Sequence, residues 1–421
     1  MKPQHTVVVG GGLIGLCTAL ALRRAGHPVT LVDRGRLGGG AATGNAGELT
    51  PQQVSPLASP NTAVDVFRGV FTQSSYLSID PWQLPRLARF GLGFIRSAGR
   101  TRAARGAAAL AQFADELLPA MRRLGAEGID LSGGGEGYLM TNSDPEQLRA
   151  AHAAYGARAD RGWGEAPGPI LRDGQLAEAE PALHPSVTGG FMLPGEFSLD
   201  PVTFVASLIE RVRDSGVTVR EGLTALRVGE GASIVCSRED GTEETVRGDR
   251  LVIAAGAWTT PILRRSRIRS APVVSGKGYS FTVPVARMPE TLIHAMDRHC
   301  VAIPMHGRLR IVGMMEFDGH PERPNPRRFE VLTRAAAGVI RDADWANRTE
   351  EWVGARPMTA DGMPLLGPVA GRPEVIVAAG HNMHGLSLAP ITAEVVADLV
   401  AGRDPVIGGR TLDLAPFAVR R

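Results

Sequence analysis

Three glycines near the start of the sequence, Gly10, Gly12 and Gly15, have the spacing G-x-G-x-x-G. An apolar run precedes them, an apolar helical stretch follows, and a β-rich run over residues 28–32 closes on Asp33, 18 residues after Gly15. In this pattern the first glycine makes a tight turn, the second lets the backbone approach a pyrophosphate, and the third lets the helix pack close to the strand. Phosphates then bind the N–H groups of the helix N-terminus, while the acid accepts a hydrogen bond from a ribose hydroxyl. The sequence therefore predicts a dinucleotide-binding unit, with a structural glycine-rich turn as the ordinary alternative.

The motif does not distinguish NAD from FAD, because both contain ADP. Asp33 disfavours NADP, since a carboxylate would repel the additional 2′-phosphate. The next segment, residues 38–60, is rich in Gly, Ala, Ser, Thr, Asn and Pro and has almost no charge. A loop of this length usually binds a ligand or is disordered, and its place after Asp33 favours ligand contact.

Composition excludes several classes of protein. The 421 residues suffice for two domains, and the 46 basic and 43 acidic residues, with a net charge of +3, are too balanced to indicate nucleic-acid binding. Only five residues precede the first β-rich run and no apolar run approaches the ~20 residues of a membrane span, so we expect neither a signal peptide nor a span. The three cysteines, Cys17, Cys236 and Cys300, form no C-x-x-C pair, which predicts no disulfide framework, no metal site and a cytoplasmic protein.

Apolar periodicity and turn residues place the other elements. Residues 82–163 are predicted to be helical, and their basic face (Arg86, Arg89 and Arg96) is interpreted as solvated surface, with peripheral contact at the inner face of a membrane as the alternative. The further predictions are a helix opened by Asp200 and stopped by Gly216, strands beginning at 217 and 250, antiparallel strands at 270–283, 300–305 and 309–316, a strand at 375–379, and a last helix that has Pro390 in its first turn and ends at Gly402.

Short motifs along the chain carry a resemblance to a known family. They are VGGGLIG at 9–15, NAG at 45–47, EPAL at 180–183, LVIAAGAW at 251–258, GKGY at 276–279, RPMTADGMP at 356–364 and GHNMHGLSLAP at 380–390. With these motifs the chain resembles the glycine oxidase/D-amino acid oxidase superfamily of flavoproteins, and within it the D-amino acid dehydrogenases, from about residue 5 to about 417.

The resemblance implies an α/β fold: a Rossmann-like FAD-binding domain of the glutathione-reductase type with an inserted α+β, antiparallel-sheet substrate domain. The FAD-binding domain would comprise residues 1–85, 196–266 and 350–421, and the substrate domain residues 86–195 and 267–349. FAD would be bound non-covalently, because relatives with an 8α-thioether use a cysteine near residues 356–361 and this chain has none there. The positions predicted to bind FAD are Gly10, Gly12, Leu13, Ile14, Gly15, Asp33, Arg34, Thr43, Asn45, Ala46, Gly47, Ala225, Ala255, Gly256, Trp258, Gly380, His381, Met383, Gly385, Leu386 and Ser387.

The implied reaction is oxidative deamination of an amino acid, above all a D-amino acid. The Cα hydrogen leaves as hydride to flavin N5, and the resulting imine is hydrolysed to a 2-oxo acid and ammonia. Arg356 is the candidate for binding the carboxylate, because its planar fork suits a bidentate partner. His384 is a candidate for lining the pocket and Tyr279 for capping it, with packed structural roles as the alternatives. Oxygen, a quinone or a partner protein would accept the electrons.

Two departures from glycine oxidases leave the substrate open. Those relatives have a Tyr after a His-Cys pair, where this chain has Val301, and an Arg in the last loop, where it has residues 382–384, Asn-Met-His. A different kind of signal comes from Lys277, the only lysine besides Lys2 among the 46 basic residues. Because ammonium and guanidinium are not interchangeable, its retention predicts a place near the flavin or the inter-domain cleft.

Three other functions compete with this prediction. The same fold could oxidise a secondary amine, such as an N-methyl or cyclic imino acid. A monooxygenase that uses NADPH is disfavoured, because the chain has no second G-x-G-x-x-G motif. The last alternative is a non-catalytic flavin-binding subunit of a complex.

Overall fold

The computed structural model describes residues 2–56, 58 and 76–421. The parts of the predicted 38–60 loop and 1–85 segment that fall on residues 1, 57 and 59–75 lie outside the described residues. In chain order the strands are β1 (Thr6–Val9), β2 (Val29–Val32), β3 (Glu48–Leu49), β4 (Leu77–Ile79), β5 (Gly133–Thr141), β6 (Leu171–Arg172), β7 (Gly189–Leu199), β8 (Thr218–Arg220), β9 (Thr224–Val228), β10 (Ser233–Ser237), β11 (Glu243–Arg247), β12 (Arg250–Ile253), β13 (Val273–Val283), β14 (Leu292–Ala295), β15 (Cys300–Met305), β16 (Arg308–Phe317), β17 (Thr349–Thr359), β18 (Leu365–Val369), β19 (Arg372–Ala379), β20 (Val406–Ile407) and β21 (Arg410–Thr411). The described α-helices are α1 (Leu13–Arg24), α2 (Leu84–Ser97), α3 (Arg100–Ala126), α4 (Pro145–Ala159), α5 (Asp173–Ala179), α6 (Pro201–Asp214), α7 (Thr259–Arg265), α8 (Pro326–Ala337) and α9 (Gly385–Val400).

The first sheet has the strand order β18-β19-β12-β1-β2-β8, and its strands are parallel except for β18. The apolar residues of β1 are buried from both faces, as continuous apolar runs in parallel sheets usually are. Helices α1 and α9 pack against each other in the core beside this sheet. The carboxyl ends of β1, β2 and β12 therefore lie side by side, where open α/β sheets bind their ligands.

The second sheet is mostly antiparallel, with the order β17-β13-β16-β15-β14-β5-β7-β3 and with β4 and β6 paired at its margins. The antiparallel strands predicted at 270–283, 300–305 and 309–316 are present as β13, β15 and β16. The predicted fold class, a Rossmann-like α/β unit with a second, largely antiparallel sheet, is confirmed. The domain bounds stay a prediction. Strand β17 falls almost entirely within the predicted FAD-binding segment 350–421, but it lies in the second sheet.

Local sequence signals explain the helix that returns the chain to the first sheet. Asp200 caps α6 by accepting a hydrogen bond from the backbone N–H of Val202 at 2.9 Å, and Gly216 follows the helix with a positive φ of 79°. The predicted strand then appears as β8, paired with β2.

Two predictions about elements are wrong. Residues 133–141, inside the range predicted to be helical, form β5, because this glycine-rich run pairs with β7 and with β14. Pro390 is not in the first turn of the last helix, since α9 begins at Gly385 and holds the proline inside it. The helix begins earlier because Leu386 and Leu388 in its first turn pack into the core.

Candidate active site

A cavity of about 1370 Å³ is lined by residues of both sheets. Ligand pockets commonly measure roughly 300–1,000 Å³, so this cavity has room for a large cofactor together with a small substrate. One end lies at the carboxyl edges of β1 and β2, and the other is formed by β16, β17 and the loop before α9.

At the first end, the three motif glycines differ in what a side chain would meet. A Cβ at Gly10 would lie 2.5 Å from the Ala254 carbonyl oxygen, and one at Gly15 would lie 1.7 Å from the Gly10 carbonyl oxygen. A Cβ at Gly12 would meet no protein atom within 4 Å. Gly10 and Gly15 are therefore required by packing, whereas Gly12 leaves open space at the N-terminus of α1, which has no acidic residue in its first turn. This is the geometry that a phosphate group needs.

Asp33 lies at the end of β2 beside that helix terminus. Its carboxylate accepts hydrogen bonds from the backbone N–H of Gly11 at 2.6 Å and of Gly35 at 2.8 Å. Arg34 lies 3.9 Å over the ring of Trp258 and forms an ion pair with Glu322. Asp33 is thus held in place beside the cavity, where it can accept a hydrogen bond from a ribose.

The loop before α9 closes the other end. A Cβ at Gly385 would meet no protein atom within 4 Å, and the first turn of α9 has neither an acidic residue nor a side-chain cap at His384. The positive end of this helix therefore faces the cavity. His381 is buried and its Nε2 lies 3.0 Å from the Thr392 hydroxyl. Burial lowers the pKa of His381 to about 3, so it is neutral at physiological pH.

Most of the residues predicted from the sequence come together here. Those lining the cavity are Gly10, Gly12, Leu13, Ile14, Asp33, Arg34, Asn45, Ala46, Ala225, Ala255, Gly256, Trp258, Val301, Arg356, Gly380, His381, Met383, His384, Gly385, Leu386 and Ser387. Three predicted FAD-binding positions do not line the cavity: Gly15, Thr43 and Gly47. The Thr43 carbonyl accepts a hydrogen bond from Arg310 at 3.0 Å, and a Cβ at Gly47 would lie 2.0 Å from the Leu199 carbonyl oxygen, so both residues pack against neighbouring elements.

Tyr279 and Lys277 do not line the cavity, so the structure places neither Tyr279 over the pocket nor Lys277 beside the flavin site. The Tyr279 ring is fully buried against Phe329, and its hydroxyl donates to the carboxylate of Glu316. The Lys277 ammonium lies 2.8 Å from Glu316 and 2.7 Å from Asp318. Both side chains belong to a buried polar network in the second sheet.

Arg356, on β17, is the cation at the second end of the cavity. Its Nη1 donates to the Met314 carbonyl at 2.7 Å, and no other described residue forms a hydrogen bond with the remaining guanidinium nitrogens, which are left for a ligand. Burial lowers the pKa of Arg356 to about 10 while Glu48 opposes the shift, so the side chain remains charged at neutral pH. The loop before α9 is fixed to the same strand, because the Asn382 N–H donates to the Pro357 carbonyl at 3.0 Å.

His384 lines the same cavity as Arg356. Its Nε2 is 3.2 Å from the Ser55 carbonyl oxygen, and burial lowers its pKa. Val301 also lines the cavity, so the position of the missing tyrosine faces the pocket.

Sequence reasoning missed Glu48, Tyr138 and His294, which also line the cavity. Glu48 directly follows the NAG motif, so its place next to predicted FAD-binding residues was the signal that could have found it. Tyr138 had no such signal, because its strand was predicted to be helical. His299 also lines the cavity, and its ring stacks on that of Tyr76 with centroids 3.5 Å apart.

The described part of the chain contains neither a metal-binding cluster nor a membrane-spanning helix. No group of three or more His, Cys, Asp or Glu side chains there could hold a metal ion. None of its helices is both long enough and apolar enough to cross a lipid bilayer.

Comparison with known proteins identifies the class. The sequence matches the family described as FAD dependent oxidoreductase (DAO) over residues 5–399. It is similar to D-amino acid dehydrogenase from Cereibacter sphaeroides, with 32% identity over 428 residues that cover 98% of this chain and 95% of that protein. For the same enzyme from Methylobacterium nodulans, the identity is 30% over 423 residues, covering 98% and 99%. The fold is similar to that of glycine oxidase from Geobacillus kaustophilus, with a TM-score of 0.74, 24% identity and coverage of 100% and 99%.

The chain therefore belongs to the DAO family of FAD-dependent oxidoreductases. The predicted family, the FAD cofactor and the class of enzyme, one that acts on amino acids or amines, are confirmed. The cavity fits FAD, since it offers open space at Gly12 and Gly385, an anchored acid at Asp33 and two helix N-termini.

Proposed function

We propose that this enzyme oxidatively deaminates an α-amino acid, with D-amino acids as the favoured substrates. The observation that carries the proposal is the charged Arg356 in the cavity, with Nη1 held by the Met314 carbonyl and with the loop before α9 fixed to its own strand. A guanidinium in this setting suits a substrate carboxylate. The similarity to D-amino acid dehydrogenases supports the D configuration.

Different residues of the cavity would bind the cofactor and the substrate. Gly12 and the first turn of α1 would hold the pyrophosphate of FAD, Asp33 its ribose, and the first turn of α9 its ring system. When bound, FAD supplies the two-electron oxidation that converts the amine to an imine. Arg356 would bind and orient the substrate, and the neutral His381 and His384 add no charge that would repel an ammonium.

We also propose that FAD is bound non-covalently. All three cysteines are buried, and none lines the described cavity. Precipitation of the holoenzyme with acid should leave the flavin in the supernatant. Flavin that stays on the polypeptide would contradict this.

The test is anaerobic bleaching of the flavin absorbance of the holoenzyme. The panel comprises D- and L-amino acids, N-methyl and cyclic imino acids, and the corresponding decarboxylated amines. We expect D-amino acids to bleach the flavin fastest and decarboxylated amines to bleach it slowly. Faster bleaching by imino acids would favour the secondary-amine function, and a flavin that no compound bleaches would favour a non-catalytic subunit.

We propose further that the electron acceptor is reached at a membrane surface. Trp82 is 86% exposed and Ile95 is 69% exposed, and α2, which holds Ile95, also contributes to the cavity wall. Residues 81–114 contain six exposed arginines and no acidic residue. Exposed apolar side chains surrounded by cations suit binding to an anionic lipid surface. A quinone dissolved in that membrane would then be close enough to accept the electrons.

A further inference from the structure

One carboxylate lies at the substrate end of the cavity. The acidic residues among the described lining residues are Asp33, Glu48 and Glu322. Asp33 is engaged by two backbone N–H groups and Glu322 by Arg34, both at the dinucleotide end. Glu48 remains, in electrostatic contact with Arg356.

The backbone and side chain of Glu48 are both held in place. Its strand, β3, pairs with β7, and its carbonyl accepts a hydrogen bond from the Ser387 hydroxyl at 2.9 Å. The Tyr138 hydroxyl donates to Glu48 Oε1 at 2.8 Å and lies 3.3 Å from Nδ1 of His294. Tyr138 thus fixes one carboxylate oxygen, and the cavity gives a ligand access to the side chain.

The surroundings of Glu48 set its basicity. Burial raises the pKa of Glu48, while the Tyr138 hydrogen bond and the positive charge of Arg356 act in the opposite direction. Burial also lowers the pKa of His294 to about 4, so this neighbour is neutral. The titratable and charged groups around Glu48 are Tyr138, Tyr155, Arg158, Glu196, His294, Arg356 and His384.

We propose that Glu48 binds the ammonium group of the substrate and takes a proton from it. This rests on the proposed amino-acid function, with Arg356 and Glu48 binding the two charged groups of one zwitterion. In the step, an N–H bond of the ammonium breaks and an O–H bond forms on Glu48, while the electron pair stays on nitrogen. Nothing is oxidised or reduced, and the neutral amine is left ready for loss of the Cα hydrogen as hydride.

The first test compares flavin reduction in wild type and Glu48→Gln across pH. General base catalysis contributes roughly 10²–10⁴-fold, so the variant should reduce its flavin at least about 10²-fold more slowly at pH 7. Its rate should approach that of wild type at alkaline pH, where water has already deprotonated the amino acid. Glu136→Gln is the matched control, because Glu136 is exposed and lies on the same strand as Tyr138. It should behave as wild type.

The second test is ligand binding without turnover, followed by the shift in flavin absorbance. Propionate has the carboxylate of alanine but no amine. Glu48→Gln should bind propionate at least as tightly as wild type, because a nearby negative charge has been removed. Weaker propionate binding in the variant would mean that the cavity is damaged, and would overturn the assignment.

A third variant keeps the carboxylate. Tyr138→Phe removes a hydrogen bond that lowers the pKa of Glu48, so the acidic limb of the reduction profile should move to higher pH. An unchanged limb, or a Glu48→Gln rate equal to that of wild type at pH 7, overturns the role of Glu48. If no amino acid bleaches the flavin of wild type, the proposed function is wrong, and the role of Glu48 is wrong with it. If amino acids bleach wild type and the variants equally fast, the proposed function stands and only the role of Glu48 is wrong.

Discussion

The ammonium of Lys277 lies 2.8 Å from the carboxylate of Glu316, and the two side chains are only 1% and 4% exposed. The same nitrogen donates to Asp318 at 2.7 Å and to the Arg323 carbonyl at 2.8 Å. Three acceptors around one compact cation suit an ammonium, and the planar fork of arginine would not reproduce them. The retention of lysine at this position is thus explained by packing of the second sheet.

Lys277→Met should lower the free energy of unfolding by up to roughly 3–5 kcal/mol, because the buried carboxylate of Glu316 then keeps Arg328 but loses its closer cation. Urea unfolding of the holoprotein measures this. Lys2→Met is the matched control, since Lys2 is the other lysine and is exposed. Equal stability of the two variants would show that the buried pair does not stabilise the fold.

Two alanine substitutions should separate the roles of the motif glycines. Gly15→Ala should lower the free energy of unfolding by roughly 1–3 kcal/mol or more, because its Cβ would lie 1.7 Å from the Gly10 carbonyl oxygen. Gly12→Ala should leave the fold intact and reduce the FAD content, because its Cβ meets no protein atom and enters the space for the phosphates. Thermal unfolding and the ratio of flavin to protein absorbance measure both effects. Full FAD loading in Gly12→Ala would contradict the assignment of the phosphate site.

Glu196 should make stability depend on pH. Burial raises its pKa from 4.5 to about 8, although the Gln52 N–H acts against this, and its Oε2 has no hydrogen-bond partner among the described residues. Between pH 4.5 and about 8 the folded protein keeps a proton on Glu196 that the unfolded chain has released. Protonation of Glu196 therefore stabilises the folded state, and this stabilisation is lost as pH rises from about 4.5 through 8.

Glu196→Gln should therefore lose less stability than wild type between pH 5 and 9. The difference should be on the order of a few kcal/mol, because one pKa unit corresponds to about 1.4 kcal/mol. Urea unfolding at several pH values measures it, with the exposed Glu136→Gln as control. Parallel pH dependence of wild type and Glu196→Gln would place the titration elsewhere.

The dinucleotide end could be predicted from the sequence because its signals are local. The turn at Gly10, the helix after Gly12 and the acid at Asp33 are read within one βαβ unit, and the structure brings them together. The substrate end could not be predicted in the same way. Glu48 and Tyr138 are 90 residues apart and meet only because β5 and β3 both pair with β7.

Lys277 and Tyr279 show the converse error. Their residue types suggested a functional role. A single sequence does not show whether a polar side chain on a strand points toward a cavity or toward a buried polar network. Here Glu316, Asp318 and Arg328 meet at that network and bury it away from the cavity. Buried polar residues that are hydrogen-bonded to one another can therefore have a structural role in a sheet and need not belong to a functional site.

The apolar residues before and within α2 should determine binding to anionic vesicles. The double variant Trp82→Ser/Ile95→Ser should sediment less with vesicles that contain phosphatidylglycerol, because both exposed side chains are removed. Val406→Ser is the control, since Val406 is also exposed but lies near the other end of the chain. Because basic residues each contribute about 1 kcal/mol at anionic surfaces, wild type should bind phosphatidylcholine alone more weakly. Equal sedimentation of the double variant and wild type would exclude this surface.

Arg356 supplies the sharpest test of the substrate class. Truncating one partner of a buried charge pair typically costs ~2–5 kcal/mol, so Arg356→Ala should lower kcat/KM for amino acids by roughly two to three orders of magnitude. FAD content should not change, because the dinucleotide is held at the other end of the cavity. Arg227→Ala is the control, since Arg227 is exposed on β9.

The decisive comparison for Arg356 uses a pair of substrates that differ only in the carboxylate. Wild type should reduce its flavin much faster with D-alanine than with ethylamine, and Arg356→Ala should lose most of that preference. Because Nη1 already donates to the Met314 carbonyl, Arg356→Lys should not restore it: a single ammonium cannot hold the backbone and grip a carboxylate with two parallel hydrogen bonds. If wild type oxidises ethylamine as fast as D-alanine, Arg356 does not bind a carboxylate and the proposed amino-acid function is wrong. If only the variant loses the preference, Arg356 is assigned as the carboxylate-binding residue, and Val301, which lines the same cavity, leaves room for a side chain larger than that of glycine.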